Sequence, residues 1–122
     1  MRYQIKFENG VQVIRILESN FNLGVVQKFN DLMTRQIQRG LSRIVLDLRY
    51  IDILDSCGLG VFLFSFKRLK PKGNLAVCGL NSELLKQFEL AHLDREIPVF
   101  NTTAQAVQGI AVSPFQVNGF VN

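Results

Sequence analysis

The stretch DSCGLGVFLFSFKRLK, residues 55–70, sets an acid and a serine at the mouth of an apolar segment that ends in a basic cluster. Ser56, Cys57, Cys78 and the single histidine, His92, are the side chains around which a reactive site could be built. A serine nucleophile on a strand-to-helix elbow needs G-x-S-x-G, but Leu54 stands two positions before Ser56. A serine–histidine–acid triad would need His92 beside Ser56. The spacing instead sets His92 on or near the inward stripe of a later helix, the place of a packed or partly exposed histidine. Cys57, Cys78 and His92 lack any zinc-ligand spacing. Gly58 and Gly60 lack the spacing and following lysine of a phosphate-binding loop. These patterns give no cofactor, no metal and no catalytic residue.

What remains is position. Ser56 follows Asp55 at the start of a predicted helix, where the first amides have no intrahelical partner and the dipole presents its positive end. A phosphate there is compatible with the backbone, and it adds close to two negative charges near Asp55 and Asp52. Alternatively, Asp55 or Ser56 is only a helix cap, worth about 1 kcal/mol. The local physics leaves both readings open.

The elements that must hold this segment follow from patterning. With 122 residues, 48% hydrophobic and 20% charged, the chain has the balance of one globular domain. MRYQIKFENG alternates where a signal peptide would be continuously apolar. The longest apolar run, Gly58 to Phe66, is broken by Ser65 and falls far short of the ~20 residues that span a bilayer. A cytoplasmic protein without membrane insertion is expected, its cysteines reduced. The formal net charge of +4 is densest at Lys67, Arg68, Lys70 and Lys72. Such a cluster could meet nucleic acid or an anionic membrane surface. Cations at a helix C-terminus also complement its dipole, and the interleaved aromatics stand at core spacing, so no direct nucleic-acid contact is expected.

Tyr3, Ile5 and Phe7 alternate with polar residues, then Asn9 and Gly10 precede VQVIRIL, which predicts a hairpin. Val11 and Val13 lie in one phase and Ile14 and Ile16 in the other, so the second strand is covered on both faces or bulged. Val25, Val26, Phe29, Leu32, Met33 and Ile37 mark an amphipathic helix closed by Gly40. RIVLDL and NLAVCGL are buried strands. Between them Leu59, Phe62, Leu63, Phe66 and Leu69 form a helical stripe that stops before Pro71. Asn81 or Ser82 caps a helix bearing Leu84, Leu85, Phe88, Ala91 and His92. IPVF is a last strand, and a last helix turns Ala104, Val107 and Ile110 inward. The alternation predicts an α/β domain over residues 1–111, an open mixed sheet of hairpin plus parallel strands with helices packed against it. The apolar tail, residues 112–122, is expected to fold over the domain's own surface, with a dimer contact as the alternative. The oligomeric state is open between monomer and weak dimer.

IVLDLRYIDILDSCGLGVF resembles the signature of the STAS domain, shared by anti-sigma factor antagonists and the tails of sulfate transporters. The family pattern is a strand ending in Asp, a short turn, then D-S-x-G-L-G opening a helix; Asp47, Asp55, Ser56, Gly58, Leu59 and Gly60 match it. The resemblance implies a bacterial, non-enzymatic partner-switching protein of transcription regulation. Ser56 would be phosphorylated by a GHKL-type anti-sigma factor serine kinase and reset by a PP2C-type phosphatase. The unmodified form would capture the kinase, and the phosphorylated form would release it. The implied partner surface comprises Asn22, Asp52, Asp55, Ser56, Cys57, Gly58, Leu59, Gly60 and Phe62. Two positions depart from the pattern. Ser19, Asn20, Phe21 and Asn22 stand where the family often has Gly-x-Leu-Asp, so Asn22 caps without charge. Cys57 replaces a small hydroxyl residue, leaving Ser56 as the motif's one acceptor. The rival readings are a phosphorylation-independent STAS scaffold subunit of a membrane transporter complex and, further off, a small serine hydrolase using Ser56 and His92.

Overall fold

Asn9 and Gly10 carry φ of 52° and 77°, the pair of positive values that a two-residue hairpin loop requires. They join Tyr3–Glu8 (β1) to Val11–Ile16 (β2) in an unbroken antiparallel register from Tyr3↔Ile16 to Glu8↔Val11, so β2 has no bulge. Its two apolar phases are instead both covered. Val11 and Val13 point to one side of the sheet, Ile14 and Ile16 to the other, and all four are buried. The computed structural model describes residues 1–71 and 73–111, and the predicted packing of the tail at 112–122 lies outside them.

Beyond the hairpin every pairing is parallel. Arg43–Asp47 (β4) lies beside β2, Asn74–Cys78 (β6) beside β4, and Val99–Phe100 (β7) beside β6, giving the order β1-β2-β4-β6-β7. Two further two-residue strands, Asn20–Phe21 (β3) and Ile53–Leu54 (β5), pair only with each other, also in parallel. Leu23–Gln38 (α1), Ser56–Leu69 (α2) and Ser82–Leu90 (α3) cover the Ile14 and Ile16 side. Thr103–Ile110 (α4) covers the other side, packing Ala106, Val107 and Ile110 on Val11, Val13, Val45, Ala76 and Cys78. The expected mixed-sheet α/β domain is what the chain adopts.

Three of the four described α-helices start where the sequence provides a side-chain cap. Asn22, Asn81 and Thr102 accept from the backbone N–H three residues on, at Val25, Leu84 and Gln105. Gly40, at φ 85°, ends α1. Several inward assignments shift. Ala104 is exposed and Ala106 takes its place, while Leu85 and Ala91 are exposed and only Leu84 and Phe88 of α3 are buried. His92 is not on the inward stripe: α3 has ended, and His92 sits exposed at φ 59° in the reversal that leads to Leu93–Arg95, a single 3-10 turn.

The loops at the far end of α1 and α2 touch tightly. Asn74 N–H donates to the Ser42 carbonyl at 2.8 Å, and a β-carbon built on Gly73 would run into that same carbonyl oxygen. Gly73→Ala is therefore expected to destabilise the fold by roughly 2–3 kcal/mol, since backbone must move to admit the methyl. Urea unfolding would show it as a lower midpoint at unchanged slope.

Candidate functional site

The parallel pair β3 and β5 feeds straight into two helices. Asn20 is in register with Ile53 and Phe21 with Leu54. Asp52 and Ile53 N–H both donate to the Ser19 carbonyl, at 2.7 and 3.0 Å, and Asp55 N–H donates to that of Phe21 at 3.4 Å. The next residues in line are Asn22 and Asp55, the N-caps of α1 and α2. Two helix N-termini thus open side by side, and neither has an acidic residue in its first turn to offset its dipole. The Asn22 side chain is committed to its own helix, accepting from Val25 N–H at 3.3 Å. Asp55 makes no side-chain cap hydrogen bond; only its carbonyl accepts, from Gly58 and Leu59 N–H. Its exposed carboxylate faces solvent without an ion-pair partner among the described residues.

Ser56 is the first residue of α2, exposed, and among the described residues its hydroxyl has no hydrogen-bond partner. The cap role therefore does not consume it. Asp52, Asn22 and Gly60 are also exposed, and the space where a Gly60 side chain would stand is open. Cys57 and Leu59 are half-buried. Two residues of the expected surface are not on it. Phe62 is fully buried, and Gly58 is buried because α2 presses it onto the strand pair, where a β-carbon would come 2.5 Å from Leu54 Cδ1. Both position the site from beneath.

In their place the structure exposes two apolar side chains that spacing had not singled out, Leu23 at 59% and Ile53 at 58%. Leu23 stands three residues before buried Val26, a spacing that reads as core. Ile53 had a weak signal: in a short strand, Ile53 and Leu54 must face opposite ways, and Leu54 is the buried one. Together with Asp52, Asp55 and Ser56 they make an apolar and acidic face around one hydroxyl.

The loop carrying this face is braced from behind. Asn81 Nδ2 donates to the Ile51 carbonyl at 3.3 Å and Gln87 Nε2 to that of Leu54 at 3.0 Å, tying α3 to both ends of the segment. Asp47, completely buried at the end of β4, accepts from Arg15 Nε at 2.8 Å and from Arg49 N–H and Nε at 3.2 and 3.4 Å. It fixes the chain leaving the sheet and is remote in role from Ser56. The Arg15 guanidinium is pushed up in pKa by its hydrogen bond to that carboxylate. Cys78, buried under α4, is pushed up to about 12, first by burial and then by Asp47, so its thiol stays protonated. Among the described residues no three His, Cys, Asp or Glu side chains are grouped to hold a metal ion. None of the described helices is long and apolar enough to cross a membrane.

The STAS domain profile matches residues 2–106 of this sequence. The chain belongs to the STAS domain family. Among curated proteins it is 28% identical over 118 residues to an anti-sigma F factor antagonist of Paenibacillus polymyxa, covering 92% of this chain and 98% of that one. An anti-sigma factor antagonist from Mycobacterium paratuberculosis shares the fold at a TM-score of 0.82 and 16% identity, covering 89% of this STAS chain and 92% of the other. SpoIIAA, an anti-sigma factor antagonist, superposes in its unphosphorylated form at a TM-score of 0.69, with 17% identity and coverage of 98% and 100%. Its phosphorylated form, described as a Bacillus cell fate determinant, gives 0.68, with 18% identity and coverage of 88% and 98%.

Proposed function

We propose that this STAS protein is an anti-sigma factor antagonist whose grip on an anti-sigma factor kinase is switched by phosphorylation of Ser56. The observation that carries the reading is the exposed Ser56 hydroxyl at the first position of α2, unpartnered among the described residues. A kinase can reach it, and the added phosphate meets free amides and a positive helix end instead of disturbing the core. The likeness to an antagonist along nearly its full length supports an antagonist over a transporter scaffold subunit.

In the unmodified state, Leu23 and Ile53 supply the apolar contact, while Asp52 and Asp55 reach toward cations on the kinase. Gly60 lets the partner's backbone come close to α2, with no side chain in the way. After phosphoryl transfer to the Ser56 oxygen, the same surface bears about two further negative charges, and the kinase is repelled. A PP2C-type phosphatase restores the hydroxyl.

The direct test incubates the protein with its cognate anti-sigma factor kinase and ATP and locates phosphate by mass spectrometry. Phosphate on Ser56, absent from Ser56→Ala, is expected; modification elsewhere, or none, defeats the proposal. The apolar contact has its own test. Ile53→Asp is expected to cost about 2 kcal/mol of kinase affinity, roughly thirtyfold, because an apolar anchor is removed and a desolvated charge substituted. Unchanged affinity by calorimetry would remove Ile53 from the interface.

A further inference from the structure

Charge is segregated along this chain. Residues 32–46 and 56–82 contain no Asp or Glu, yet they hold seven of the fourteen Lys and Arg: Arg35, Arg39, Arg43, Lys67, Arg68, Lys70 and Lys72. The other seven are outnumbered by all ten acids, so the rest of the chain is net negative by three. The fold turns this into two ends. Both α1 and α2 start at the β3 and β5 pair beside Ser56 and run away from it, so Arg35 and Arg39 of α1 and Lys67, Arg68 and Lys70 of α2 meet at the opposite end, where Asn74 N–H bonds Ser42. Helix α2 has 14 residues and is therefore about 20 Å long, which keeps the two ends of one molecule apart.

The basic end is not a featureless charged cap. Between the C-termini of α1 and α2 lies a groove of about 280 Å³ with Ile37, Leu41, Leu69 and Pro71 on its walls and Arg68 beside them. Arg68 is held rigidly, its Nη1 donating to Thr34 Oγ1 at 2.8 Å, its Nη2 to Asn30 Oδ1 at 3.3 Å, and its guanidinium lying 4.5 Å over the Phe64 ring. None of its partners is an acid, its Nε is buried with no partner, and burial pushes its pKa down. Among the described residues, Arg35, Arg39, Arg43, Lys67, Arg68 and Lys70 form no ion pair; the carboxylates that are paired bond Arg2, Lys6, Arg15 and Arg49. The groove thus calls for an apolar side chain flanked by carboxylates. The other end of the same chain offers those groups: Ile53, 58% exposed, with the exposed Asp52 and Asp55 before and after it in the chain.

We propose that the protein associates head to tail, Ile53 of one molecule entering the α1–α2 groove of a second copy while Asp52 and Asp55 face its Arg39 and Lys70. The contact joins two different surfaces, so it does not close on itself and adds copies in a row. It also covers the Ser56 face, and this regulatory consequence alone rests on the function proposed above. The self-association is tested without any kinase, so its failure and the failure of that function are distinguishable.

Sedimentation velocity on the full chain is the experiment. In low salt, the weight-average mass is expected to rise steadily with concentration above the 13.8 kDa monomer and to fall back when NaCl is raised to about 0.3 M, where the Debye length shortens below ~8 Å. Two surface variants separate the mechanism from symmetric pairing. Arg39→Glu with Lys70→Glu spoils the groove end, and Asp52→Lys with Ile53→Ser spoils the other, with circular dichroism checking that each is folded. Each alone should stay monomeric. Mixed, the two retain one intact groove and one intact Ile53 end between them, and a species of twice the monomer mass should form and grow no further. A wild type that is monomeric into the millimolar range, or a mixture that stays monomeric while the wild type associates, overturns the proposal.

Discussion

Ser56→Asp is expected to weaken kinase binding by about a thousandfold, ~4 kcal/mol, while Ser56→Ala binds as tightly as the unmodified protein. Three features set the size of the effect. The hydroxyl shares the end of the β3–β5 pair with the exposed acids Asp52 and Asp55 and the exposed apolar residues Leu23 and Ile53, so a partner covering that end must take the new charge out of water. No cation of the protein itself stands ready to neutralise it, because among the described residues Asp55 already lacks an ion pair. The fold does not share the penalty: a carboxylate in the first turn of α2 complements the helix dipole, worth about 0.3–1 kcal/mol in the stabilising direction. Titration calorimetry on both variants, with thermal unfolding alongside, separates the two quantities. Affinity should fall steeply for Ser56→Asp while its Tm stays level or rises. Equal affinities would end the switch, and a large fall in Tm would relocate the effect from the partner to the core.

The parts of this site that were legible in the sequence are those with a local physical signature. Asn9–Gly10 can hold a tight hairpin, Asn22 and Asn81 can cap helices, and D-S-x-G-L-G follows a strand that ends in Asp47; the structure has each of these features in place. What escaped were relations between distant segments. β3 and β5 are two residues each, too short for alternation to register, yet their pairing is what sets the two helix N-termini side by side. Reach from the surface inside a stripe depends on distant segments in the same way. The stripe of α2 correctly predicts that Phe62 faces inward, but whether a side chain six residues along the helix from Ser56 is reachable depends on Phe21 and Phe88 arriving from elsewhere in the chain. Gln12 gave no signal at all: it reads as a polar strand residue, and it is buried because Gln36 of α1 accepts from its side-chain amide at 3.2 Å. Ala104 and Ala106 differ by two positions, about half a turn, on a helix of eight residues, where the short stripe leaves open which alanine meets the sheet.

Phe62→Ala is expected to remove about 4 kcal/mol of stability, within the range of large-to-small aromatic deletions, and to lower Tm on the order of 15 °C for a domain of this size. The Phe62 ring packs edge-on against Phe21 at 5.0 Å and Phe29 at 5.5 Å, and tilted against Phe88 at 6.2 Å. It therefore joins α2 to β3, to α1 and to α3 at once, and three aromatic neighbours cannot collapse into the void without leaving their own rotamers. Because a domain of ~110 residues has only about 5–15 kcal/mol to lose, much of the molecule would be unfolded by modest denaturant. The same variant separates positioning from contact. A Phe62 that touched the kinase would lose affinity in a folded protein; a Phe62 that holds the site from below loses fold first, and the folded fraction still binds with its Leu23 and Ile53 in place. Phe64, on the same helix and 51% exposed, is the matched control: Phe64→Ala leaves no enclosed cavity, and its Tm should stay within a few degrees of the parent. Similar losses of Tm in the two variants would contradict the core role assigned to Phe62.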